Sequence, residues 1–260
     1  FMDCPDRERG GWLCDGLWTA RTERLLTGQT TIDRAMLQRY ADRWLVDRSE
    51  PGFACCYPSG LDAQMPTWSM FFLLQLDEYR RMSGDDTLPA ALREHVDAFL
   101  SFLEAFEAAN GLLRDLPGWI FVDWSCANDQ SHTQPVSTAV NAMYDAALDA
   151  ADRLYGRPAS AQKAARLRRR LAALADPARF GFFPDVPGGT LFSEACQYYL
   201  FWLGVTDPGT SPELFNRLVH EHGPCPDRPP VFPNAGAAEV FIALTVRLEM
   251  LARAGRGDAL

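Results

Sequence analysis

The sequence predicts an all-α protein in which an inner ring of helices is wrapped by an outer ring. Three observations lead there. Apolar residues recur at helical spacing along most of the chain, and the strand signals are few, with Trp119-Ile120-Phe121-Val122 as one short candidate. The helices come in pairs. The odd-numbered members are the more apolar, as buried helices are, and the even-numbered members are apolar on one side, as surface helices are. Connections inside each pair are short, whereas those leading into the odd-numbered helices are long: about 47–66, 110–135, 176–191 and 223–234. In a helical ring this pattern collects the long connections at one end, where a rigid scaffold carries a site.

The elements follow in order. A first helix, about 12–27, has a stripe of Trp12, Leu13, Leu17, Trp18, Ala20, Leu25 and Leu26, and Gly28 ends it. A second, about 32–46, carries Met36, Leu37, Tyr40 and Trp44. The third, about 67–82, starts after Pro66, is strongly apolar, and closes on Ser83-Gly84-Asp85-Asp86. The fourth spans about 89–109. The fifth, about 136–155, lies between Pro135 and Gly156. The sixth, about 159–175, contains Arg166, Arg168, Arg169 and Arg170 among Ala and Gln, the pattern of a solvated outer face. A seventh, about 192–203, is apolar on nearly all sides. The eighth and ninth cover about 212–222 and 235–253. The inner helices start near residues 12, 67, 136, 192 and 235, too irregular a step for a solenoid array.

Composition narrows the function. With 260 residues, 47% of them hydrophobic, the chain can bury a sizeable core. A formal net charge of -9 lacks the electrostatic footprint of a nucleic-acid binder. Seven cysteines form no CxxC pair and no zinc spacing, so neither a disulfide scaffold nor a metal module is expected, and the thiols read as small buried side chains. His220 and His222, two apart, would not share a helix face. No signal peptide and no apolar run long enough to span a membrane is present, which favours a cytoplasmic protein. The chain opens on Phe1 inside a motif, as a piece of a longer chain would.

That motif is the densest chemistry in the sequence. Asp3, Asp6, Glu8 and Asp15 stand with Arg7, Arg9 and Trp12 where the first helix begins. Glycoside hydrolysis needs a carboxylic acid to protonate the leaving oxygen and a second carboxylate across the ring, and crowded carboxylates raise one another's pKa. Glu8 is the candidate acid. Asp3, Arg7 and Asp15 offer hydrogen bonds to sugar hydroxyls, and Trp12 offers an aromatic face. Trp12 and Asp15 would share Glu8's face if the helix began there, although Gly10-Gly11 can break its start. The same residues also suit a helix N-terminus, where acids are favoured by the dipole. The long connections add Tyr57, Asp62, Trp68, Trp119, Asp123, Trp124, Asp129, Phe182, Phe183, Asp185 and Phe232, which describe an acidic, aromatic-lined mouth.

The run Asp3-Cys4-Pro5-x-Arg7-Glu8-Arg9-x-Gly11-Trp12-x-x-Asp15 resembles the opening signature of the α-L-rhamnosidases of glycoside hydrolase family 78. Weaker similarities follow in the family's order: Tyr57-Pro58-Ser59-Gly60 with Pro66-Thr67-Trp68-Ser69, then Phe121-Val122-Asp123-Trp124, then Phe182-Phe183-Pro184-Asp185 with Phe192-Ser193-Glu194, and 255–260 at the end of the fifth inner helix. The resemblance implies an (α/α)6 six-hairpin toroid, here incomplete with about five inner and four outer helices. Residues 1–260 then form a single catalytic domain truncated at both ends.

It also implies release of terminal L-rhamnose by inverting hydrolysis. Glu8 would be the general acid, and Asp3, Arg7, Trp12, Asp15, Trp68, Asp123 and Trp124 would bind substrate. No cofactor and no metal is implied. The partner is a rhamnose-containing carbohydrate rather than nucleic acid or membrane, and the oligomeric state is left open. Cys14 and Glu194 depart from the family's usual Gly and Gln. The family's catalytic base is expected past Leu260, with Glu194 and Glu239 as substitute acids within the chain. Another six-hairpin glycosidase acting on a different sugar, or an inactive carbohydrate-binding barrel, are the other readings.

Overall fold

A computed structural model describes residues 6, 10–59, 63–239 and 241–259. Among them are ten α-helices: α1 (Leu13–Thr27), α2 (Thr31–Val46), α3 (Pro66–Ser83), α4 (Thr87–Glu104), α5 (Gln130–Thr133), α6 (Thr138–Tyr155), α7 (Pro158–Ala172), α8 (Glu194–Trp202), α9 (Pro212–His220) and α10 (Phe241–Arg253). Two two-residue strands, β1 (Phe192–Ser193) and β2 (Ala235–Gly236), pair in parallel. No described helix is long and apolar enough to cross a membrane.

The chain divides into two compact units. The first comprises Phe1–Phe106, Leu116–Trp119 and Ala146–Lys163, and the second Glu107–Asp115, Ile120–Asp145 and Ala164–Leu260. In the first unit α1 packs on α3 and α2 on α4. Helix α3 begins with Pro66 in its first turn, where a missing N–H costs nothing, and ends on Gly84 in the left-handed region at φ 71°. Every residue of α3 from Pro66 to Asp77 is buried, so it is the inner helix of its pair. At the far ends of α1 and α3, buried Asp33 accepts from Gln75 Nε2 at 2.9 Å and pairs with Arg24, which also bonds Glu78. Burial pushes the Asp33 carboxyl up, against the opposing pull of Gln75 and Arg24.

In the second unit α8 packs on α10. All nine residues of α8 are buried, whereas α9 buries only Leu214, Phe215, Leu218 and Val219. The expected contrast between inner and outer helices is therefore present in the burial of α3 and α4, of α6 and α7, and of α8 and α9, whereas α1 and α2 bury six residues each. Of the Arg run on α7, Arg166, Arg169 and Arg170 are exposed as expected, but Arg168 reaches inward to the fully buried Asp145 at 2.7 Å.

Several expectations are corrected. Residues 119–122 form no strand. Phe192–Ser193 and Ala235–Gly236, expected as helix starts, are the two short strands instead, and the last helix is described from Phe241. The fourth helix stops at Glu104, because the chain turns there and Glu107 bridges to Leu113. Helix α5 was not foreseen. Cys14, Cys55, Cys56 and Cys196 are buried thiols, but Cys126 is half-buried and Cys225 exposed; Cys4 lies outside the described residues.

Three of the four long connections are held by one recurring device. The fourth residue of an inner helix bonds both the N–H and the C=O of one residue in the connection before it. On α3, Ser69 Oγ accepts from the Phe53 N–H and donates to the Phe53 C=O, both at 3.1 Å. On α6, Asn141 accepts from the Leu113 N–H at 2.7 Å and donates to its C=O at 3.2 Å. On α8, Gln197 accepts from the Phe183 N–H and donates to its C=O, both at 2.9 Å. All three side chains are fully buried, so each clasp satisfies backbone groups that would otherwise cost about 1–3 kcal/mol apiece.

Candidate functional site

Asp3, Arg7 and Glu8, and with them the core of the opening motif, lie outside the described residues, as does Asp62. The segment after the motif is fixed by backbone. Trp12 is not in the helix. It is the extended residue before α1 (φ -74°, ψ 138°), so the helix starts only after Gly10-Gly11 and Trp12. Leu13 N–H donates to Cys55 O and Tyr57 N–H to Gly11 O, each at 3.0 Å, lacing 11–13 to 55–57. A Cβ on Gly10 would lie 2.0 Å from Cys56 Sγ, so only glycine allows this approach.

The lacing sets Trp12 against Trp68 at the start of α3, edge to face, with ring centroids 5.3 Å apart. Trp68 is buried and Trp12 half-buried, leaving Trp12 as the available aromatic surface. Asp15 sits half-buried in the first turn of α1, where the helix dipole favours a carboxylate. Cys14 faces the core, completely buried, and burial together with the Asp15 charge raises its thiol well above the usual range. The thiol therefore adds bulk to the core rather than to a sugar subsite.

In the second unit Asp123 is completely buried. Its Oδ1 accepts the Ala243 N–H of α10 at 3.2 Å. Burial pushes its carboxyl up, against hydrogen bonds from Ser125 and from the backbone of Ala243, Trp124 and Glu239. This carboxylate gathers the first turn of α10. Its neighbour Trp124 is half exposed, with its ring edge-on to Phe121 at 4.8 Å.

Glu194 is buried and takes four donors. Oε1 accepts from His222 Nδ1 at 3.1 Å and the Gly223 N–H at 3.2 Å, and Oε2 from Tyr198 Oη at 3.0 Å and the Ala238 N–H at 3.2 Å. Burial opposes its ionisation, but these bonds outweigh burial and hold it below the usual carboxylate range. Four donors fill a carboxylate's acceptor capacity, which makes Glu194 an anchor for the 221–238 connection. Glu239 is exposed.

Not all of the expected mouth residues line an opening. Phe182, Phe183 and Phe232 are buried, and Phe182 and Phe232 pack ring to ring at 4.9 Å. Asp185 is also buried. It accepts from Ser193 Oγ at 2.9 Å and bonds His132 Nδ1 at 2.5 Å. That pair escaped sequence reasoning because 53 residues separate its members; the usable signal was a lone His beside the Thr133-Gln134-Pro135 turn. No cluster of His, Cys, Asp or Glu among the described residues has the arrangement of a metal site.

Residues 1–178 match the bacterial α-L-rhamnosidase six-hairpin glycosidase domain. No curated protein matches the chain. Among solved structures, the whole chain superposes on 27% of a family 78 rhamnosidase from Bacillus sp. GL1, with a TM-score of 0.81 and 21% identity. A rhamnosidase from Klebsiella oxytoca with rhamnose bound gives a TM-score of 0.75 at 22% identity, over 99% of this chain and 48% of that one. A family 63 mannosylglycerate hydrolase from Thermus thermophilus, in complex with glucose, gives 0.59 at 13% identity over 97% and 83%. The chain thus spans under half the length of the two rhamnosidases, and the all-α six-hairpin fold is what it shares with them. Its family is shown by the match over 1–178: it belongs to the bacterial α-L-rhamnosidase six-hairpin glycosidase domains.

Proposed function

We propose that this chain is the acid-bearing part of the catalytic domain of an α-L-rhamnosidase, which releases terminal L-rhamnose with inversion of configuration. The observation that carries the reading is the opening motif, Asp3 to Asp15, inside the stretch that matches the family. Glu8 protonates the departing glycosidic oxygen, and a second carboxylate activates water on the opposite face of the sugar. Asp3, Arg7 and Asp15 hold ring hydroxyls, and Trp12 stacks on the sugar with Trp68 bracing it. Of the two substitute acids within the chain, Glu239 is exposed whereas Glu194 has its oxygens filled.

The test uses the intact protein and an α-L-rhamnoside with a poor leaving group. Glu8→Gln should lower kcat/KM by about 10²- to 10⁴-fold, the usual contribution of a general acid, with unchanged circular dichroism. An aryl rhamnoside with a good leaving group, which needs little protonation, should lose much less. Near-normal turnover of the poorly activated substrate by Glu8→Gln would remove Glu8 from the acid role. Preference for a different sugar in a substrate panel would replace rhamnose while leaving the acid in place.

A further inference from the structure

The first unit contains a cavity of about 210 Å³ that none of the proposed sugar-contacting residues lines. The buried part of its wall is Gly52, Pro66, Ser69 and Phe99, and Glu50, Pro117 and Gly118 stand exposed at its edge. The wall is apolar in backbone as well as in side chains. Pro51, Pro66 and Pro117 carry no N–H. The rings of Phe99 and Phe102 lie 6.5 Å apart and 21° from parallel. Ser69 Oγ is already spent on the N–H and C=O of Phe53.

One polar group in this wall is left over. Gln64 lines the cavity, and its Nε2 is buried with no hydrogen-bond partner among the described residues. The amide stands against Gly52, another wall residue: a Cβ there would fall 2.5 Å from Gln64 Oε1. The surrounding segments are tied down. His95 Nε2 donates to Gly52 O at 3.0 Å. Gln64 bridges to Ala54, and its own C=O accepts the Trp119 N–H at 3.4 Å. Gly118, at φ 80°, approaches the same carbonyl so closely that a Cβ would lie 2.7 Å from it. The space is therefore built into the fold rather than left between loose loops.

Size and polarity select the occupant. An apolar cavity of roughly 150 Å³ already takes a benzene ring, so one ring with a substituent fits here. A trapped water needs about two to four polar partners, more than a single amide supplies. A sugar would bring several hydroxyls that this wall leaves unpaired. A flat aromatic ring meets the Phe and Pro faces, and one oxygen on it satisfies the amide. The exposed Glu50 carboxylate at the edge disfavours an anion. We propose that this cavity binds a neutral aromatic ring bearing one hydroxyl or carbonyl oxygen, which accepts from Gln64 Nε2. The inference goes beyond the carbohydrate reading and does not depend on it.

Phenol and benzoate are the probes, with L-rhamnose as the contrast. Binding to the intact protein is measured by titration calorimetry, and the aromatic carbon-13 resonances of Phe99 and Phe102 report the place. Phenol should bind and move both sets of resonances. Gln64→Leu keeps the bulk and removes the amide, and it should weaken phenol about 5- to 10-fold, the worth of one hydrogen bond. Phe102→Trp, at a half-buried position, should fill the space and abolish phenol binding while leaving the circular dichroism spectrum unchanged. Glu50→Gln should strengthen benzoate about 5-fold and leave phenol within about 2-fold, as removal of a nearby exposed charge implies. Phe99 and Phe102 resonances that phenol leaves unmoved would overturn the inference, and so would phenol binding to Gln64→Leu or Phe102→Trp as tightly as to the parent. L-Rhamnose moving the two rings in place of phenol would overturn the aromatic class. None of these outcomes touches Glu8, whose role is read from hydrolysis of α-L-rhamnosides.

Discussion

Helix α8 holds down two long connections by two different chemistries. Gln197 clasps the connection before it at Phe183 through a neutral amide that pairs with one N–H and one C=O. Three residues earlier, Glu194 clasps the connection after α9 through a carboxylate that accepts from His222, Gly223, Ala238 and Tyr198. The amide repeats what Asn141 does on α6 and Ser69 does on α3. The carboxylate gathers both ends of its connection, Gly223 and Ala238, onto one group. A neutral clasp fixes one point and is indifferent to charge. An ionic clasp fixes a whole segment and concentrates the dependence in a single residue.

The largest effect should therefore come from Glu194→Ala. It strands four donors at once, two of them, Tyr198 and His222, buried and two, Gly223 and Ala238, half-buried, and deleting one side of a buried charged network costs about 3–5 kcal/mol. The measurement is urea unfolding of the full protein, with the expected loss appearing as a lower midpoint. A loss below about 1 kcal/mol would mean that the 221–238 connection does not depend on the carboxylate. Gln197→Ala should rank second at roughly 2–4 kcal/mol, because it strands one N–H and one C=O of Phe183 in a dry core. If Gln197→Ala proved the more damaging of the two, the contrast between the clasps would be reversed.

The helices were legible because apolar periodicity over fifteen or more residues is a strong signal, and α1, α2, α3 and α6 lie within about three residues of expectation. The clasps were not, although they left a trace. Ser69, Asn141 and Gln197 are three unlike polar residues at one position of largely buried inner helices, and a buried polar residue demands a partner. The strands at Phe192–Ser193 and Ala235–Gly236 were hidden because two residues carry no period. Trp12, Trp68, Asp123 and Trp124 were readable as residue types. Whether each is a surface or a support depends on burial, which separates exposed Trp124 from sealed Asp123 next to it. Asp185 and His132 are joined only by the fold.

The smallest effect is a difference in pH response between the two clasps. Glu194 is held below the ordinary Glu value of 4.5 in the folded state. The unfolded chain therefore binds the proton more readily, and stability falls as pH falls. The contribution is fully present above about 4.5 and disappears as pH drops through the lower folded value. His132 is raised above 6.5 by Asp185, so its contribution is present below 6.5 and lost as pH rises through the higher folded value. The two connections should thus loosen at opposite ends of the pH scale, and the Gln197 clasp contains no titratable group. Hydrogen exchange, corrected for intrinsic rates, reads this directly. Below pH 4.5 the Gly223 and Ala238 amides should lose protection before the Phe183 amide does. Above neutrality the Asp185 amide, bonded to Leu191 O, should lose protection before those of Gly223 and Ala238. Parallel loss of all four at both extremes would show that the connections open only with the whole unit, and the ionic clasp would then have no local role.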